Sequence, residues 1–140
     1  MVEPGIYFHE GDPRRRHSNN GWVVFDDYVV VIDANCPSGA QEVLPKIKAS
    51  SSKPIRFVVD THHHADHAYG NELWAEEGAT LIAHTRVLAA LRSPNAITDW
   101  EISAKKRPDE SKPWRPRKSL APKSFVRDTP GEVTPVRTAC

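Results

Sequence analysis

Four side chains that commonly bind metal ions lie within six consecutive positions of this sequence. The segment reads His62-x-His64-x-Asp66-His67, and a further histidine, His63, lies between the first two. Imidazole nitrogens and carboxylate oxygens are ligands that Zn²⁺ accepts where thiolates are absent. The motif therefore predicts a metal-binding site.

A short apolar segment directly before the motif is typical of a buried strand. Residues 55–60 read Ile-Arg-Phe-Val-Val-Asp and are rich in β-branched and aromatic side chains. In an extended chain, residues i and i+2 point the same way, so His62 and His64 can bind one metal ion together. The chain then turns, and we expect Asp66 and His67 to reach a second ion or to complete the coordination of the first.

The rest of the chain up to residue 106 predicts strands that alternate with helices. We expect strands at 5–8, 22–25, 28–32, 55–60 and 79–83, and helices at 39–49, 71–77, from 85 to before Pro94, and at 96–106. Ser38 and Thr85 are the expected N-caps, and Gly78 is the expected left-handed residue after the second helix. This alternation predicts an α/β sheet with helices packed on it.

The motif and its surroundings resemble those of the metallo-β-lactamase fold superfamily, in which His-x-His-x-Asp-His follows a strand. Thr61 before the motif and Gly70-Asn71 after it are similar to the glyoxalase II-like branch. Residues 20–33 resemble the hairpin that opens this fold and ends in an aspartate near the metal loop, here Asp33. The resemblance covers residues 5 to about 92.

The resemblance implies a hydrolase with one or two Zn²⁺ ions and a small-molecule substrate. His62 and His64 would bind one ion, and Asp66 and His67 would bind the other. As the catalytic residue, Asp66 would orient or deprotonate the water that attacks an ester, thioester, amide or phosphoester. Asp33 would support the metal ligands without binding the ion itself.

The resemblance also implies that this chain contains half of an αβ/βα sandwich. In the family, the metals lie between two similar halves, and the second half supplies further ligands. No histidine follows His84 in this sequence. We therefore expect an incomplete metal site with weak binding, and an apolar sheet face that needs a partner.

Several explanations of the short chain stay open. It is a fragment or frameshifted reading of a longer enzyme, a chain that pairs with a second copy or a separate second half-domain, or a decayed homologue that keeps only the fold. The main hypothesis is a zinc-dependent hydrolase with an incomplete metal site. The alternative is a noncatalytic metal-binding or dimerising domain.

Charge divides the chain into two segments. Residues 1–102 carry 9 Lys and Arg against 14 Asp and Glu, whereas residues 103–140 carry 10 against 4 and contain six prolines. We expect residues 1–106 to form the half-domain and the Pro/Arg/Lys-rich residues 107–140 to be a disordered basic tail. Nucleic-acid binding is not expected, because Trp114 is the only aromatic residue among the nearby charges.

Cysteine content and hydropathy suggest a cytoplasmic protein. The two cysteines, Cys36 and Cys140, do not form a disulfide framework, and Cys36 is expected to be an apolar filler. The sequence has no apolar run near the ~18 residues of a membrane span and no apolar signal region at its N-terminus. No membrane partner is therefore expected.

Overall fold

The computed structural model describes residues 1–106 and 123–124, and within them a single mixed sheet carries the helices. The strands are β1 (Ile6–His9), β2 (Asn20–Val24), β3 (Val29–Ile32), β4 (Ile55–Asp60), β5 (Thr80–Ala83) and β6 (Lys123–Ser124). The helices are α1 (Pro37–Ser50), α2 (Ala65–Ala68), α3 (Asn71–Glu76), α4 (Thr85–Leu91) and α5 (Pro94–Lys106).

Strand order in the sheet follows chain order from β1 to β6. The strands β1, β2 and β3 pair antiparallel, as expected for a hairpin opening, and β3, β4, β5 and β6 pair parallel. Helix α1 connects β3 to β4, and α2 and α3 connect β4 to β5. The carboxyl ends of β3 and β4 therefore lie side by side, which brings Asp33 next to the segment after Asp60.

One face of the sheet packs against helices α1 and α3 and forms the hydrophobic core. Its central strand residues are Val31 and Val58, both fully buried, and Trp74 of α3 is fully buried against them. The other core members are Trp22, Val29, Ala34, Ala40, Val43, Ile47, Ile55, Leu73, Ala79 and Leu81. Side chains alternate along each strand, as Val29 and Val31 of β3 show. In β4 a register shift places both Ile55 and Val58 on this face, although they are three positions apart.

The opposite face, called the second face below, is also apolar. Strand pairing aligns its residues in two rows across β1 to β5. One row is Ile6, Val23, Val30, Phe57 and Thr80, and the other is Phe8, Gly21, Ile32, Val59 and Ile82. At its edge, Ile6 is 43% and Phe8 53% exposed. An apolar sheet face of this width is typical of an interface with another layer.

Two predicted N-caps, Ser38 and Thr85, are wrong by two residues and by one residue. Helix α1 begins at Pro37, with Cys36 as N-cap and no side-chain cap, so Ser38 lies inside the helix. Proline suits the first helical position because its missing N–H has no partner there anyway. At α4 the N-cap is His84, whose side chain accepts a hydrogen bond from the Arg86 amide at 3.2 Å.

Two other local expectations are confirmed. The strand over 55–60 has its expected bounds, and Gly78 follows α3 with a φ of +88°, in the left-handed region. The predicted disorder of the tail concerns residues 107–140, which lie outside the described residues except for Lys123 and Ser124 of β6. Among the residues that the structure describes, no helix is long and apolar enough to cross a membrane.

Candidate metal centre

The His62–His67 motif begins two residues beyond the end of β4. Residues 61–64 form a loop, and His64 is the N-cap of the short helix α2. This helix places Asp66 in its first turn, and the amide of His67 donates to the carbonyl of His64 at 3.0 Å. The sequence predicted only a turn at this point, because four helical residues are too few to show a periodic pattern.

Three histidine rings of the motif meet in one cluster. The ring centroid of His62 lies 4.0 Å from that of His67 and 4.7 Å from that of His64. In an extended chain His63 would point away from His62 and His64. Its ring nevertheless lies next to the cluster, with its centroid 5.0 Å from that of His64. His62 is therefore the central ring.

Asp33 lies directly beside this cluster, although it is 34 residues from His67 in the chain. Single ligand atoms of Asp33, His62 and His67 all lie within 4.8 Å of one another, a spacing that could hold a metal ion. The Asp33 carboxylate is already engaged on both oxygens. Its Oδ2 lies 2.8 Å from His67 Nδ1, and its Oδ1 accepts 2.8 Å hydrogen bonds from the amide and hydroxyl of Thr61.

The Asp33 contact decides which nitrogen of His67 remains available to a metal. A carboxylate beside Nδ1 accepts a hydrogen bond from the N–H at that position, which keeps the proton on Nδ1 and leaves Nε2 as the electron-pair donor. His67 Nε2 lies 3.5 Å from Oδ2 of Asp66, so both groups face the same space. The Asp66 side chain is 43% exposed and that of His67 is 23% exposed. A solvent-borne ion can therefore reach them.

The surroundings of His62 favour its neutral form. Partial burial lowers the pKa of this imidazole, and the neighbouring His67 and His64 lower it further, while Asp33 and Asp66 oppose the shift. Its Nδ1 lies 3.0 Å from the Thr61 hydroxyl. The neutral imidazole is the form that binds metal. Among the residues that the structure describes, the ligand atoms close enough to share an ion are those of Asp33, His62 and His67, and this group does not include His64 or Asp66.

Asp60, the last residue of β4, has a structural role. It is 2% exposed, and Asn71 donates to its Oδ2 at 2.7 Å. Burial raises the pKa of this carboxyl to about 8, with Asp33 raising it and the Asn71 hydrogen bond lowering it. Asp60 therefore keeps its proton at neutral pH and ties the end of β4 to the start of α3.

The segment after β3 packs tightly against the motif helix. The amide of Ala34 donates to the carbonyl of His67 at 2.7 Å, and Trp74 Nε1 donates to the carbonyl of Ala34 at 2.8 Å. A Cβ atom on Gly70 would come within 2.3 Å of the same carbonyl. Glycine at position 70 thus permits the close approach of this backbone to Ala34. In the sequence, Gly70 was notable only as part of the resemblance around the motif.

Residues 13–138 match the family model of the metallo-beta-lactamase superfamily. The chain belongs to the metallo-beta-lactamase superfamily. The matched range covers most of the sequence and continues past residue 106 into the segment expected to be a tail. No curated protein gave a significant match.

Solved metallo-beta-lactamases share the fold. The enzyme from Hirschia baltica is 21% identical, with a TM-score of 0.54 over 64% of this chain and 44% of its own. FIM-1 from Pseudomonas aeruginosa, in its mono-zinc form, is 22% identical, with a TM-score of 0.54 over 64% of this chain and 42% of its own. TMB-1 is 15% identical, with a TM-score of 0.54 over 84% of this chain and 50% of its own.

The family match confirms the predicted resemblance to this superfamily, and the solved structures confirm the predicted α/β fold. The chain spans about half of the length of the solved structures that it matches, or less. Identities of this size establish the fold alone. The similarity corresponds to the N-terminal portion of the fold, as predicted.

Proposed function

We propose that this chain is the metal-binding part of a zinc-dependent hydrolase, with His62, His64, Asp66 and His67 as the ligands. The observation that carries the proposal is the cluster of three imidazole rings with the Asp33 carboxylate hydrogen-bonded behind His67. A metal-binding histidine typically donates its other ring N–H to a carboxylate, which fixes the ring and raises its basicity. This arrangement supports metal binding by the motif.

A bound zinc ion would supply a water of lowered pKa and a positive charge near a developing oxyanion. The chain itself contributes orientation and proton transfer. Asp66 is exposed next to His67 Nε2, where its carboxylate can orient or deprotonate the attacking water. Asp33 contacts Nδ1 of His67, and the Thr61 hydroxyl contacts Nδ1 of His62. These contacts orient the two rings.

The proposed site needs more ligands than this chain provides. Two ligands for each of two ions leave each position below the three protein ligands of a typical catalytic zinc site. We infer that a second αβ half, from a continuation of the polypeptide or a separate chain, packs on the second face and supplies them. The apolar rows across β1 to β5 and the half-length match to solved structures support this partner.

The alternative function is a noncatalytic metal-binding or dimerising domain. The exposure of Ile6 and Phe8 on the second face favours it, since an apolar edge of this kind also suits a second copy of the chain. Under this alternative the motif binds zinc, but no condition produces turnover.

Zinc binding tests the proposal directly. We expect the purified chain to bind Zn²⁺ more weakly than a closed four-ligand site, and the double variant His62→Ala/His64→Ala to lose affinity by about tenfold or more. Metal analysis after dialysis and calorimetric titration measure this. His9→Ala is the matched control, because His9 contacts Lys46 and Glu42 away from the motif. Equal zinc content in the double variant and the control would show that the motif is not the site.

A further inference from the structure

We propose that a buried pair of amide side chains, Asn20 and Asn35, positions Asp33 and through it the metal ligand His67. The inference deepens the proposed function, because it rests on the metal site and adds two residues that act behind it. Neither asparagine contacts a motif histidine in the contacts that the structure describes. Their role follows from an unusual backbone and a chain of hydrogen bonds.

The backbone after β3 adopts a conformation that most residues avoid. Asp33 has a φ of 63° and Asn35 a φ of 61°, so two residues of this short segment lie in the left-handed region. Non-glycine residues take this conformation only where the surrounding structure holds them there, and such positions cluster at functional sites. The backbone at Asp33 determines where its carboxylate points.

The amide pair provides the surrounding contacts. Asn20 Nδ2 donates to the carbonyl of Asp33 at 2.7 Å, and Asn35 Nδ2 donates to Asn20 Oδ1 at 2.6 Å. Asn35 Nδ2 also donates to the carbonyl of Ser18 at 2.9 Å, and its Oδ1 accepts from the Cys36 amide at 2.8 Å. Asn20 is 1% exposed and Asn35 is fully buried.

The network reaches the motif from two further directions. The carbonyl of Asn35 accepts from the Gly70 amide at 2.7 Å, just after helix α2. The hydroxyl of Ser18 donates to the carbonyl of Asp66 at 2.5 Å. Together with the Asp33 carboxylate at His67, these bonds fix helix α2 relative to the end of β3.

Burial of two amides is favourable only when their hydrogen bonds are made, since an unsatisfied buried amide costs about 1–3 kcal/mol. A satisfied buried network in turn allows one arrangement of its members and excludes others. The pair therefore holds Asp33 at one backbone conformation, and its carboxylate at one position beside His67 Nδ1.

A test in the absence of metal uses the tautomer of His67. At about pH 8, the unmodified 140-residue chain should hold a proton of His67 on Nδ1 beside the Asp33 carboxylate, as ¹⁵N chemical shifts report. Asn20→Ala should release the ring into a mixture of tautomers. Val43→Ala, a fully buried core change in α1, is the control for general destabilisation and should leave the tautomer fixed.

Zinc affinity provides the second measurement. Asn20→Ala should weaken zinc binding about tenfold or more, while Val43→Ala changes it less than about twofold. In an Asp33→Asn background, adding Asn20→Ala should produce little further loss, because both residues act through one carboxylate. If Asn20→Ala does not fold, Asn35→Gly removes the other amide and tolerates the positive φ.

The outcomes separate the two claims. Equal effects of Asn20→Ala and Val43→Ala on tautomer and affinity, or additive losses in the double variant, would overturn the positioning role. A chain that binds no zinc but loses its His67 tautomer in Asn20→Ala would keep the positioning role and refute the proposed function.

Discussion

The 140-residue chain supplied with zinc is expected to hydrolyse thioester, β-lactam and phosphodiester substrates barely faster than zinc alone. Each proposed ion position has two ligands from this chain, and the second face that would carry the other half of the pocket is apolar. Without a fixed geometry of the metal ligands, the attacking water is neither deprotonated nor oriented towards the substrate. Positioning alone accounts for roughly 7–11 kcal/mol of a barrier. Steady-state rates against a metal-only control measure this.

Addition of a second half that carries further His and Asp ligands should restore zinc-dependent turnover. The matched control is Ile6→Lys/Phe8→Lys, which places two charges on the exposed edge of the second face, far in sequence from the motif. It should bind zinc as the unmodified chain does, yet gain no activity from the added half. Fast turnover by the chain alone, abolished by Asp66→Ala, would contradict the expectation and indicate that a second copy supplies the ligands.

Loss of Trp74 is expected to have the largest effect on stability. Its side chain is fully buried between α3 and the sheet, and Nε1 donates to the carbonyl of Ala34 beside the motif. Trp74→Ala leaves a large cavity and should lower the free energy of unfolding by about 3–5 kcal/mol. This is a large fraction of the stability of a typical domain, which is about 5–15 kcal/mol. Urea unfolding followed by circular dichroism measures the change.

Trp74→Phe is the control that separates packing from hydrogen bonding. It keeps an aromatic ring in the core but removes the N–H donor, so a much smaller loss than that of the alanine variant is expected, on the order of 1–3 kcal/mol. A loss below about 1 kcal/mol in Trp74→Ala would mean that α3 does not close the core.

Features that depend on neighbouring residues could be predicted from the amino-acid sequence. The β-rich run over 55–60 gave the strand that leads into the motif, and the ligand types and their spacing indicated a metal site. Gly78 identified the end of α3 because few other residues take a φ of +88° without strain. The resemblance around Asp33 also placed an aspartate near the metal loop.

The way in which the strand, the motif and Asp33 come together depends on the tertiary structure. Parallel pairing of β3 with β4 brings Asp33 to His67, and the left-handed backbone at Asp33 and Asn35 aims the carboxylate. Asn20 and Asn35 carried no signal in the sequence, because all their hydrogen-bond partners except the Cys36 amide are 12 to 17 residues away. The two apolar rows of the second face likewise arise from strand register. Local patterns report strand and helix periods, but contacts between distant residues depend on how the strands pair.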